Sequence, residues 1–180
     1  VDGSSVNSAN SKLYTTADSA GTDYASWGYW VAEYEYSGTQ VVFGTWVGGA
    51  LTNPSEISSL VSSNAVVNYK GQSIGGVVNH DGYYSAIKMD SNNAVNLTIN
   101  FRATNSINGS INFDAGASEW RVNIAAGQYS SQITPSSSSF RVFSDGSSPF
   151  SGTGSNSSMV TSGSLEGRFY GPNANTIGGA

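Results

Sequence analysis

The chain reads as an all-β protein with one short helix, an antiparallel β-sandwich or closed β-barrel, of which the barrel is favoured. Three observations predict this class. From Trp27 onward the hydrophobic segments are short, rich in aromatic and β-branched residues, and divided by Gly, Asn, Asp and Ser. Several of them alternate apolar and polar residues with a period of two, as a half-buried strand does. Glycine, with 22 occurrences in 180 residues, falls inside those segments, where barrel corners and bulges need it.

Residues 1–23 are rich in Ser, Asn and Ala without a sustained period. They read as an N-terminal extension or linker ahead of a barrel domain at 24–180. Trp27–Tyr36 carries Trp30, Ala32, Tyr34 and Tyr36 on one face and Trp27, Tyr29, Val31, Glu33 and Glu35 on the other. Ser37-Gly38 can turn it into a second strand, Gln40–Gly48. Thr52–Glu56 holds the one helix start: Asn53 as N-cap, Pro54 at the first helical position and Glu56 at the third. Ile57, Leu60 and Val61 then share a face, and the helix must end by Asn64, making a lid or plug over a barrel end.

Val66–Lys70 and Ser73–Val78 read as a hairpin about Gly71-Gln72, and Tyr83–Met89 as a strand after the Asp81-Gly82 turn. The clearest alternation sets Val95, Leu97, Ile99 and Phe101 inward and Asn96, Thr98, Asn100 and Arg102 outward. Ile111 and Phe113 point inward on its partner. An odd-numbered connection near Asn105–Ile107 puts Phe101 and Ile111 on one face, whereas a two-residue turn at Asn108-Gly109 puts them on opposite faces; the first is favoured. Glu119–Ile124, Phe140–Ser144 and Met159–Tyr170 complete the series.

Composition narrows function mainly by exclusion. Cysteine is absent and histidine occurs once, which removes disulfide scaffolds, zinc clusters and thiol mechanisms. Seven Lys and Arg against twelve Asp and Glu give a net charge of −5, so the electrostatic footprint of nucleic-acid binding is missing. No apolar run is long enough to span a bilayer as a helix. Charged residues make up only 11% of the chain, and hydroxyl and amide groups solvate the surface in their place, which leans extracellular.

The catalytic motifs fare poorly. Gly71-Gln72-Ser73-Ile74-Gly75 matches the G-x-S-x-G nucleophile elbow letter for letter, but that elbow needs a helix after the serine, and Gly76-Val77-Val78 reads as strand. Glu33 and Glu35 share a strand face at about 6–7 Å, between the two glycosidase geometries, and solvent-facing glutamates explain them as well. Asp90-Ser91-Asn92-Asn93 opens like a calcium loop but lacks its glycine and distal Glu. His80 with Asp81 sits in turn chemistry; it is a candidate ligand contact, and Tyr83 and Tyr84 beside it can sandwich a flat ligand or ligate haem iron. Trp27 and Tyr29 are the outward aromatics that either bind a ligand or lie beneath a loop or the helix. No catalytic residue, metal site or cofactor is expected.

Gly167-Arg168-Phe169-Tyr170-Gly171-Pro172-Asn173-Ala174, followed by Ile177-Gly178-Gly179-Ala180, resembles the G-x-F-Y-G-P-x-A…G-G-x-F signature of the transferrin-binding protein B family. That family includes factor H binding protein and related haem- and haemoglobin-capturing surface proteins of Gram-negative bacteria. Tyr69-Lys70-Gly71 with Gly75, and Val95–Phe101 running into Ser110–Phe113, are similar to its barrel strands. The resemblance implies an eight-stranded barrel, displayed on the outer surface or secreted, without catalytic activity, whose loops meet the ligand. It also implies a turn at Gly171-Pro172-Asn173, a strand opened by Gly178-Gly179, and a closing strand that would begin where this sequence stops at Ala180. Two expectations follow. The first is a surface binding module that captures a host or bacterial surface macromolecule or a nutrient, with haem capture as a variant. The second is a self-assembling surface-layer, adhesin or filament subunit, completed by strand donation between copies.

Overall fold

Nine residues form the only α-helix among the described residues, α1 (Pro54–Ser62), and its ends are fixed by side chains. The Asn53 carboxamide accepts the Ser55 N–H at 3.0 Å, and the Glu56 carboxylate accepts the Asn53 N–H at 3.2 Å. At the other end Asn64 takes a left-handed φ of 52°. Its N–H donates to the Val61 carbonyl and the Ala65 N–H to the Leu60 carbonyl, so the chain leaves the helix in a Schellman turn. A helix this short has little stability of its own. It is held by Ile57, fully buried, with Leu60 and Val61 packed against the same core. Capping, burial face and stop at Asn64 all agree with the sequence reading.

The computed structural model describes residues 12–16, 24–35, 39–73, 75, 93–102, 106–115, 118–125, 130–143, 150–154, 157–161 and 164–180. Around α1 they form the strands β1 (Lys12–Thr16), β2 (Ala25–Glu35), β3 (Thr39–Gly49), β4 (Val66–Gln72), β5 (Ala94–Asn100), β6 (Ser106–Ala115) and β7 (Ser118–Ile124), and then β8 (Ser130–Thr134), β9 (Ser139–Phe143), β10 (Phe150–Gly154), β11 (Ser157–Thr161), β12 (Ser164–Tyr170) and β13 (Thr176–Gly179). Single 3₁₀ turns follow β8, at Pro135–Ser137, and β12, at Pro172–Ala174. The protein is mostly antiparallel β. The described strands fall into three sheets, ordered β1-β2-β3, β11-β10-β7-β6-β5-β4 and β13-β12-β9-β8, and none of these orders returns to its first strand.

Alternation decides which faces meet. In β5, Leu97 and Ile99 are buried and Asn96 is exposed, and Phe101 just beyond the strand is fully buried. β9 buries Phe140 and Val142 around an exposed Arg141, and β12 buries Leu165 and Phe169 between exposed Glu166 and Arg168. These inward residues, with Tyr69, Ile107, Ile124, Ile133 and Ile57, make one hydrophobic core shared by the second and third sheets.

The first sheet is tied on through Thr52. Its N–H donates to the Phe169 carbonyl at 3.0 Å, its hydroxyl donates to the Gly171 carbonyl at 2.7 Å, and its own carbonyl accepts the Ser138 hydroxyl at 2.5 Å. Leu51 bridges Tyr170 beside it. A threonine can be buried here because donor and acceptors are all satisfied.

Several expectations need correction. Gly71-Gln72 is not a hairpin turn: both residues stay extended in β4, opposite Val95 and Ala94. The long-range ladder with β5 outweighs the local turn preference of glycine. Asn100 faces Ser106, so the connection is the five residues 101–105, earlier than expected but odd-numbered, and Val95 and Ile111 share a face as required. Asn108 and Gly109 lie within β6. Met159–Tyr170 divides into β11 and β12. Gly178-Gly179 does not open the last strand, which begins at Thr176. Lys12–Thr16, inside the stretch read as extension, forms β1 and pairs with Trp27–Val31 of β2. The strand expected at Ser73–Val78, of which only Ser73 and Gly75 are described, the strand expected at Tyr83–Met89, and the turns at 37–38 and 81–82 otherwise lie outside the described residues.

Candidate ligand-binding cleft

Tyr170 is where the site begins. Its position in β12 points away from the shared core, on the side of Glu166 and Arg168, yet it is 2% exposed. The first sheet covers it. Val47 of β3 lies against Gly178, so closely that a Cβ at that glycine would collide with the Val47 methyl. Gly171, with φ of 71°, turns the chain under the Tyr24 ring, where a side chain would clash as well. Glycine is needed at the first for close approach and at the second for a left-handed backbone. Burial pushes the Tyr170 phenol above its ordinary value, against the opposing pull of the Arg168 guanidinium.

Beside this contact lies a cavity of about 1320 Å³, lined by residues of all three sheets. One wall is Trp27, half-buried, whose strand position is directly opposite Val47. The floor is the outer face of β8, β9, β12 and β13. Register sets Gln132 beside Arg141 beside Glu166 in one row, and Thr134, Ser139, Arg168 and Gly178 in the next. All of these line the cavity, which continues past the edges of β4 and β13 to the inward faces of Leu97, Ile111 and Phe140.

The charges are arranged unevenly. Arg141 Nε lies 2.5 Å from Glu166 Oε1, and the same guanidinium stacks over the Phe143 ring at 4.2 Å. Both partners are about half exposed, so the pair adds on the order of 0.2–1 kcal/mol to stability; its clearer effect is to fix two side chains in place. Arg168 donates from Nη1 to the Ser137 carbonyl at 3.1 Å and has no carboxylate partner among the described residues. Lys70, exposed on the β4 edge of the same cavity, has none either.

Of the residues singled out from sequence, Trp27 lies in this cleft. Tyr29 is in β2, with its backbone paired to Tyr14 and Thr45. His80, Asp81, Tyr83 and Tyr84 lie outside the described residues. Ser73, the central residue of the elbow-like motif, donates its hydroxyl to the Asn112 carbonyl. Comparison with protein-family models, curated proteins and solved structures gave no match. Among the described residues no group of three or more His, Cys, Asp or Glu could hold a metal ion, and no helix is long and apolar enough to cross a membrane.

Gln132, Arg141, Glu166 and Arg168 were missed in the sequence. A signal did exist: chain-wide charge is scarce, yet Arg141, Glu166 and Arg168 fall at outward positions of two strands whose inward residues are large and apolar.

Proposed function

We propose that this chain is a non-enzymatic binding module, secreted or displayed on the outer surface of a Gram-negative bacterium, that captures a host macromolecule or nutrient. The single observation that carries the reading is the cleft, lined by the Trp27 indole and by Arg168 and Lys70, which have no carboxylate partner among the described residues. Half-buried aromatics with a few fixed polar groups are the usual make-up of a recognition site. The commitment of the Ser73 hydroxyl to a main-chain carbonyl speaks against a nucleophile there.

The barrel belongs to the same proposal. Strands β4 to β9, β12 and β13 number eight, and their inward side chains share one core. Tyr69 of β4 reaches the turn before β13, and β6 and β8 come within contact distance, which suits a wrapped meander. The likeness of the segment around Phe169-Tyr170-Gly171-Pro172 to the transferrin-binding protein B signature supports it further. His80, Asp81, Tyr83 and Tyr84 remain the candidate loop contacts.

Self-assembly by strand donation is the second reading, favoured by one feature: among the described residues β4 and β13 each pair on one side only. Sedimentation over a wide concentration range separates the two, since the binding module stays monomeric and the donated strand gives oligomers resistant to dilution. The first reading is tested by immobilising the protein and passing fractionated host extracellular fluid over it. Saturable retention, lost in Trp27→Ala and with the ligand recovered unaltered, is expected; turnover of the captured ligand would overturn it.

A further inference from the structure

Two residues that line the cleft are linked through the strand register. Trp27 is the cross-strand neighbour of Val47, Val47 rests on Gly178, and Gly178 is the cross-strand neighbour of Arg168. Each cross-strand step is about 5 Å, so the strand positions of Trp27 and Arg168 are joined by two such steps and one side-chain contact. A path of two cross-strand steps and one contact is within reach of a short oligosaccharide.

The charge in the cleft is the reverse of that of the chain. The whole sequence carries −5, yet the side chains of Lys70, Arg141 and Arg168 line this cavity against one side-chain carboxylate, that of Glu166. Glu166 is engaged by Arg141, which leaves Arg168 and Lys70 without a counter-charge among the described residues. An anion gains nothing from the long-range field of such a protein, so its recognition has to be local. Arg168 is suited to local recognition, because its bond to the Ser137 carbonyl uses one of five N–H donors and orients the fork. The remaining donors can grip a planar carboxylate in two places.

Hydroxyl and amide groups stand beside these charges, while the far end of the cavity is apolar at Leu97, Ile111 and Phe140. Gln132, Thr134 and Ser139 sit in the adjacent rows, and Ser139 shares a 2.6 Å hydrogen bond with Ser137. Such groups match a ligand covered in hydroxyls better than an acyl chain, while an indole wall stacks on the C–H face of a sugar ring. We infer that the cleft binds a carboxylated saccharide, with a ring against Trp27 and the carboxylate on Arg168. This rests on the binding-module reading and assigns its ligand class.

The experiment is titration of the protein, followed by calorimetry and tryptophan fluorescence, with uronic-acid and sialic-acid oligosaccharides and their neutral counterparts. The acidic sugars are expected to bind and perturb tryptophan emission, with the neutral ones weaker by about tenfold or more and the preference shrinking as salt is raised. Arg168→Gln, a substitution at an exposed position, should abolish the preference, with Arg168→Lys restoring part of it. Trp27→Ala should remove binding of both kinds. Equal affinity for acidic and neutral sugars, an unchanged preference in Arg168→Gln, or no binding by any acidic sugar would each overturn the assignment. Trp27-dependent retention of some other ligand in that event would leave the capture reading standing.

Discussion

The phenol of Tyr69 donates to the main-chain carbonyl of Ala174 at 2.6 Å, across 105 positions of sequence. Tyr69 is the buried residue of β4, and Ala174 closes the 3₁₀ turn that leads into β13. One hydrogen bond therefore joins the edge of the second sheet to the approach of the last strand, where no backbone ladder between β4 and β13 is formed. Tyr69→Phe keeps the ring and strands the carbonyl. It should cost about 1–3 kcal/mol, the penalty of a buried acceptor left unmade, read as a lower urea midpoint with an unchanged m-value.

The same phenol makes stability depend on alkaline pH. Burial pushes its pKa well above the ordinary 10.0. The unfolded chain releases this proton near its ordinary value while the folded protein keeps it. The contribution is therefore complete below about pH 10 and declines as pH rises above it, by about 1.4 kcal/mol per unit for one such group. Urea midpoints followed from about pH 8 to pH 11 should fall more steeply in the parent protein than in Tyr69→Phe. Parallel slopes would show that the phenol is not shielded.

How much of this was legible depends on whether a feature is local. The capping box at Asn53 and Glu56, the stop at Asn64, and the inward set Val95, Leu97, Ile99 and Phe101 are written in adjacent residues, and each formed as read. β8 was invisible because Ser130–Thr134 contains one apolar residue, Ile133, and becomes a strand by pairing with β9. Gly71-Gln72 misled for the converse reason: its local preference is a turn, and its partner lies more than twenty residues away. Of the cleft, only the scarce charges at Arg141, Glu166 and Arg168 could be marked in the sequence. Strand register sets them beside Gln132 and Ser139, and the seating of Val47 on Gly178 joins the strand of Trp27 to theirs, neither of which adjacent residues announce.

The helix is stabilised chiefly at its ends and by Ile57, so its caps should be measurable. Asn53→Ala removes the acceptor for Ser55 and should cost about 1 kcal/mol, whereas Asn53→Asp should be close to neutral or favourable at the positive N-terminus. Thermal denaturation of the two variants against the parent gives the comparison. A loss in Asn53→Asp as large as in Asn53→Ala would mean that the cap hydrogen bonds are not what holds this end.

Gly178→Val tests how the first sheet is seated. The new side chain would occupy the space of the Val47 methyl, and overpacking of this kind costs about 1–3 kcal/mol. Val47 is expected to be displaced together with its neighbour Trp27, so emission should move to longer wavelength as the indole wall opens. A paired Val47→Gly change should restore much of both, because it vacates the contested volume. If the single variant is as stable and as blue-emitting as the parent, the two sheets do not rest on this contact.

The last prediction concerns the core that the second and third sheets share. Phe169 is fully buried, with its ring centroid 5.3 Å from that of Phe101 and 5.2 Å from that of Phe140, both in tilted geometry. Phe101 lies at the end of β5 and Phe140 in β9, so one ring touches both layers. Its backbone N–H and carbonyl are also engaged, by Ser138 and Thr52. Phe169→Ala removes the ring without touching those bonds and should cost about 3–5 kcal/mol, while Phe169→Leu, which refills part of the cavity, should cost less. Because the core is common property, both variants should still unfold in one transition, with tryptophan fluorescence and far-ultraviolet circular dichroism coinciding across the denaturant range. Two separated transitions in Phe169→Leu would instead mean that each sheet keeps a core of its own, and that Phe169 merely links them.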